Sequence, residues 1–185
     1  MRSIYNYFIK KMKLTKEEKK FWQRHFHIEK AEDIPKEWGT FKRIDSEEDD
    51  DFFYFLSLRV TSILEIHLKE TLVTDAGIKH ISKFKDLEIL YLRNHKKITK
   101  ESIPYFNKME SLLSLNITKT KITLTDICEL LNNQSLKEVF LDSEDKEENI
   151  LEKAFELKER MPNCNVYLDT SFNTDVFGNP LKPIF

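Results

Sequence analysis

A recurrence of about two dozen residues constrains this chain more than any other feature. Three apolar residues spaced L-x-x-L-x-L occur as Ile63, Ile66 and Leu68, then as Leu87, Leu90 and Leu92. The spacing returns as Leu112, Leu115 and Ile117, and again as Leu136, Val139 and Leu141. The first members are 24, 25 and 24 residues apart. A weaker fifth copy keeps Val166 and Leu168 but has Asn163 in the leading position, 27 residues on.

A second pattern keeps step with the first. Val73-Thr74, Ile98-Thr99 and Ile122-Thr123 are each followed, five residues after the Val or Ile, by Ile78, Ile103 and Ile127. Each Thr stands where a helix N-cap would satisfy free backbone N–H groups. The apolar residues beyond it, Ile81 and Phe84, Phe106 and Met109, Leu130 and Leu131, continue at helical intervals. Pro104 falls early in its segment, where a missing N–H is harmless. Each unit is therefore expected to be a short strand, a turn and a helix. Such a unit cannot bury its apolar side alone, so neighbours must stack, with parallel strands on a concave side and helices on the convex side. The ninth position of each unit, Thr71, His95 or Thr120, is polar and suited to hydrogen-bonding the turn backbone.

These residues resemble the leucine-rich repeats. The similarity is closest to the subclass with an "ITDxGLxxL" helix, here Val73-Thr74-Asp75-Ala76-Gly77-Ile78-Lys79-His80-Ile81, found in F-box-like and bacterial proteins. Segments like Met161-Pro162-Asn163-Cys164-Asn165-Val166 often close such arrays. The resemblance covers residues 61 to 169 and implies an α/β fold: a short solenoid of about five strand-helix units with a parallel concave sheet. Two departures stand out. The family's usual Asn or Cys at the ninth position is Thr or His, and the fourth turn, Asp145 to Glu148, is charged and lacks the Val/Ile-Thr pair.

The ends need caps, because an open stack exposes apolar edges. Residues 1–60 are expected to form a helical N-terminal cap, residues 61–170 the array, and residues 171–185 a tail packing on the last repeat. Thr15-x-x-Glu18 is a capping-box signature that opens a helix with Phe21, Trp22 and Phe26. Ser46, followed by Glu47 to Asp51, reads as a second helix start whose acids favour the helix dipole. Phe52, Phe53, Phe55 and Leu56 would then pack on the first repeat.

Little suggests catalysis. The five histidines show no H-E-x-x-H spacing, and none neighbours a cysteine pair. Cys128 and Cys164 read as core fillers, so no metal and no cofactor is expected. Nucleophile-elbow, phosphate-loop and dinucleotide glycine patterns are absent, in keeping with only 3 glycines. With 30 basic against 32 acidic residues there is no basic excess for nucleic acid. The two cysteines supply no disulfide framework, and no apolar run approaches an export signal or a membrane span, so a cytoplasmic protein is expected.

What the repeat offers is a surface. Alternation along each strand turns the residue between the last two apolar positions outward: His67, Tyr91, Asn116, Phe140 and Tyr167. Two residues earlier stand Glu65, Ile89, Ser114, Glu138 and Asn165; two later stand Lys69, Arg93, Thr118, Asp142 and Asp169. Exposed aromatics flanked by arginine and acids are the composition of a binding hot spot. The expected function is non-catalytic protein binding through the concave sheet, either as an immunity protein neutralising a toxin or as an adaptor bridging two proteins. Against these stands an enzyme or metal protein built on the N-terminal region, and, more weakly, peripheral membrane attachment through residues 2–16.

Overall fold

The computed structural model describes residues 13–142, 150–168 and Pro183. Six strands form one parallel sheet in sequence order: β1 (Glu37–Ile44), β2 (Ser62–Lys69), β3 (Ile89–Arg93), β4 (Ser114–Asn116), β5 (Glu138–Leu141) and β6 (Asn165–Leu168). The helices are α1 (Lys16–Phe26), α2 (Asp50–Ser57), α3 (Asp75–Ile81), α4 (Ile103–Phe106, led by a 3-10 turn), α5 (Leu124–Leu130) and α6 (Ile150–Arg160). One helix lies between each strand and the next, and successive helices pack on one another, so all of them line the same side of the sheet.

The apolar spacing becomes a buried ladder. Phe41, Ile66, Leu90, Leu115, Val139 and Val166 pair strand to strand in one register and are all buried. Leu68, Leu92, Ile117, Leu141 and Leu168 lie two residues on and are buried as well. Helix residues Ile78, Ile81, Ile103, Phe106, Leu124 and Ile127 close the core from the other side.

The helix starts are built by the expected threonines. Thr74, Thr99 and Thr123 are N-caps whose hydroxyls accept from the N–H of Ala76, Glu101 and Asp126. A further device ties two of these starts to the preceding helix. The Asp50 carboxylate accepts the Thr74 N–H at 2.8 Å and its hydroxyl at 2.6 Å. One unit on, Asp75 accepts the Thr99 N–H and hydroxyl, both at 2.8 Å, together with the Ser102 hydroxyl. The next equivalent position is Lys100, which cannot accept, and there Thr123 turns to Asp126 of its own helix, at 3.0 and 2.9 Å. Gly77 makes room for the first bracket: a Cβ there would collide with the Asp50 carboxylate and lie 2.8 Å from Val73.

The backbone repeats as faithfully. Asp45, Glu70, Asn94 and Lys119, each just past a strand, are left-handed, with φ of 50°, 56°, 62° and 58°. The N–H groups of Asp45, Glu70 and Asn94 reach the carbonyls of Lys69 and Arg93 on the next strand and of Thr118 just past β4. The ninth-position side chains serve these turns. His95 Nε2 accepts the Thr71 N–H at 3.3 Å and contacts its hydroxyl at 2.8 Å, while the Thr120 hydroxyl donates to the Ile117 carbonyl.

The N-terminal segment differs from a purely helical cap. Strand β1 lies inside residues 1–60 and joins the sheet 25 residues ahead of β2, with Trp38, Phe41 and Arg43 opposite Ile63, Ile66 and Leu68. The sheet therefore has one strand more than the five expected units. Aromatic and charged residues at the apolar positions disguise the strand; Arg43 fits there because it is stacked over Phe41 and paired to Glu48 at 2.9 Å. The second helix also starts later than Ser46: Asp49 is its N-cap, accepting the Phe52 N–H, and Ser46 instead bonds Glu48. Helix α1 covers the β1–α2 end through a ring cluster, with Phe21–Phe52 at 5.2 Å and Phe26–Trp38 at 5.2 Å. The buried Glu18–Arg59 pair fastens it, and Arg59 with Thr15 outweighs burial in holding the Glu18 carboxyl below its ordinary range.

Candidate functional site

With every helix on one side, the opposite sheet face is uncovered by any described element. Parallel pairing at about 4.8 Å per strand turns sequence repeats into rows of side chains across this face. The central row runs Lys42, His67, Tyr91, Asn116, Phe140, Tyr167 in continuous register. Its rings associate in two pairs. His67 stacks on Tyr91, centroids 5.8 Å apart and planes within 23°; Phe140 stacks on Tyr167 at 4.6 Å and 13°. All four are half-buried, held upright by their neighbours but open on one side.

Asn116 departs from the sequence expectation. It is 4% exposed, and its side-chain oxygen accepts the Thr118 N–H at 3.1 Å and hydroxyl at 2.8 Å. Thr118 is buried too. The short strand β4 ends at Asn116, and the side chain is used to turn the chain rather than to meet a ligand. The centre of the row is thus a polar, inward-committed position flanked by two aromatic pairs.

The flanking rows are asymmetric in charge. Glu65, Ile89, Ser114, Glu138 and Asn165 are half-buried on one side of the rings. The Glu65 carboxylate contacts His67 Nε2 at 3.2 Å and accepts the Thr40 hydroxyl at 3.2 Å. On the other side, Lys69 and Arg93 sit opposite each other on β2 and β3, while Asp142 lies beyond β5 and takes the Lys119 N–H. Asp169 lies outside the described residues, as do 1–12 and most of the tail expected to pack on the last repeat.

A cleft of about 480 Å³ opens at the β1–β3 end of this face, lined by residues 42–44 and 67–69 with Tyr91 and Arg93. It adds Lys42, Arg43 and Ile44 to the residues expected from the sequence, which had placed these three in the helical cap. Their signal was the 25-residue offset from Lys42 to His67 and from Ile44 to Lys69.

Elsewhere both cysteines are enclosed. Cys128 is buried and donates to the Lys153 carbonyl; burial pushes the Cys164 thiol up to about 11. His25 is on α1 and His27 caps its C-terminus in the left-handed region. Among the described residues no group of three or more His, Cys, Asp or Glu is arranged to hold a metal ion, and no helix is long and apolar enough to cross a membrane. No protein-family model matches this chain, and no curated protein matches it.

Proposed function

We propose that the chain is a short leucine-rich-repeat solenoid that acts without catalysis, gripping another protein with its concave sheet. The repeat reading is supported by the shared period of three independent features: the buried ladder, the left-handed residue past each of the first four strands, and the threonine caps. The binding reading rests on one observation, the in-register row of paired rings on the face that no described helix covers. Aromatic residues and arginine are enriched among the few residues that dominate binding energy at protein interfaces.

Within this reading, neutralisation of a toxin by an immunity protein fits a small unit presenting one continuous face, whereas an adaptor needs a second surface. Affinity capture from the native cell separates the two. One stoichiometric partner supports neutralisation; several substoichiometric partners support an adaptor. The double variant Tyr91→Ala, Phe140→Ala tests the face itself. Two hot-spot aromatics at about 2 kcal/mol or more each amount to a loss of roughly a thousandfold in affinity. Loss of the two ring stacks costs the fold about 1–3 kcal/mol. Undiminished capture by the double variant, or collapse of its melting transition, would refute the assignment.

A further inference from the structure

The open face is not electrically uniform, although the chain as a whole is nearly neutral at −2. Its β1–β3 cleft is lined by four basic residues, Lys42, Arg43, Lys69 and Arg93, and by no acidic one. Two of these have local partners: Arg43 pairs with Glu48 at 2.9 Å and Lys69 with Glu70 at 3.5 Å. For Lys42 and Arg93 no ion pair occurs among the described residues. Register sets Lys69 and Arg93 side by side on β2 and β3, with Lys42 on the next strand over in the ring row. Like charges adjacent across a sheet repel and destabilise it. The charge left uncompensated on Lys42 and Arg93 suits an anionic ligand. By contrast another cleft, about 350 Å³, sets Lys83, Lys85 and Lys108 against Asp86 and Glu110, so most of its charge is offset within the lining.

The cleft is not only basic. Ile44 is 52% exposed on its wall, and the half-buried Tyr91 ring lines it two strands away. Given the reading of this face as a protein-binding surface, we infer that its β1–β3 end takes an acidic, extended segment of the partner, with carboxylates on Lys42, Lys69 and Arg93 and an apolar side chain against Ile44 and Tyr91. Arginine favours carboxylates through its planar fork, and a cationic cleft accelerates docking in a salt-dependent way. Nucleic acid would engage the cations equally but has no use for the isoleucine wall.

Fluorescence anisotropy with the full chain tests this. The probes are a labelled peptide of glutamates interspersed with leucines, its twin with lysine for glutamate, and a labelled uridine oligonucleotide. The acidic peptide is expected to bind and the lysine twin not to. Raising salt from about 50 to about 200 mM should weaken binding several-fold, as screening shortens the Debye length. Lys69→Glu with Arg93→Glu should weaken it at least about tenfold, the reversal of two contacting charges. Lys83→Glu with Lys108→Glu in the other cleft should leave it unchanged. The neutral pair Lys69→Met, Arg93→Met, with an unaltered melting curve, keeps the test valid if charge reversal unfolds the sheet. No peptide binding at low salt, equal binding by the charge-reversed protein, or tighter binding of the oligonucleotide through the same residues would overturn the inference. Captured native partner separates the two levels. If release follows Tyr91→Ala, Phe140→Ala but not Lys69→Glu, Arg93→Glu, only the acidic-segment inference fails; if neither pair releases it, the binding face itself fails.

Discussion

Replacing Asp75 with alanine removes one acceptor shared by three donors: the N–H and hydroxyl of Thr99, each at 2.8 Å, and the Ser102 hydroxyl. Asp75 and Thr99 are half-buried, so water can partly replace the Thr99 bonds, but Ser102 is fully buried and would be left unsatisfied. A hydrogen bond to a charged group contributes about 1.5–3 kcal/mol, and an orphaned buried donor costs about 1–3 kcal/mol. Discounting the solvated pair, the loss comes to about 2–4 kcal/mol. For a chain of this size that corresponds to a melting point lower by roughly 5–15 °C. Urea unfolding of wild type, Asp75→Ala, Thr99→Val and the double variant measures the bracket directly. The expected coupling between the two sites is about 1 kcal/mol or more, since they share the interaction. Asp75→Asn, which retains one acceptor oxygen, should fall in between. A loss under about 0.5 kcal/mol, or strict additivity, would refute the claim that these brackets bind successive units together.

Other perturbations probe other joints. Gly77→Ala gains about 1 kcal/mol of helix propensity yet should destabilise by a net 1–2 kcal/mol or so in thermal melts, because the new methyl displaces Asp50 from Thr74. A melting point equal to or above wild type would show that Asp50 relaxes freely. Burial holds His25, His80 and His95 below the ordinary histidine value of 6.5, in His95 against the pull of the Arg93 and Leu92 carbonyls. The unfolded chain then binds more protons than the native one below that value. Stability should therefore be complete above pH 6.5 and decline as pH falls beneath it. His95→Asn should flatten part of that slope in urea midpoints taken across this range; an unchanged slope would remove His95 from the acid response.

The order in which these features could be read follows from how directly side-chain type determines geometry. Apolar spacing maps onto burial without intermediaries, so Ile66, Leu90, Leu115 and Val139 were legible as one ladder, and the threonine caps with them. Strand β1 was hidden because Trp38, Phe41 and Arg43 occupy positions that are Ile, Leu or Val in the next four strands; only the 25-residue offset betrays it. The left-handed residues escaped because Asp45, Glu70, Asn94 and Lys119 occupy them instead of glycine, and only the sheet pairing of their neighbours reveals the need. Asn116 shows the limit of alternation. It lies on the outward parity of its strand, but a side-chain amide able to serve the adjacent turn is drawn into the backbone instead. The basic cleft required register as well as sequence, since Lys42, Lys69 and Arg93 are 51 residues apart from first to last and meet only when three strands align.

Hydroxyl-radical footprinting of the chain with and without its captured partner tests the binding face most directly, because aromatic side chains report their own exposure. Tyr91, Phe140 and Tyr167 should lose most of their labelling in the complex, while Tyr54 and Tyr105 on the helix side keep theirs. Protection of Tyr54 and Tyr105 with the strand-face rings still labelled would place the partner on the helices and contradict the proposal.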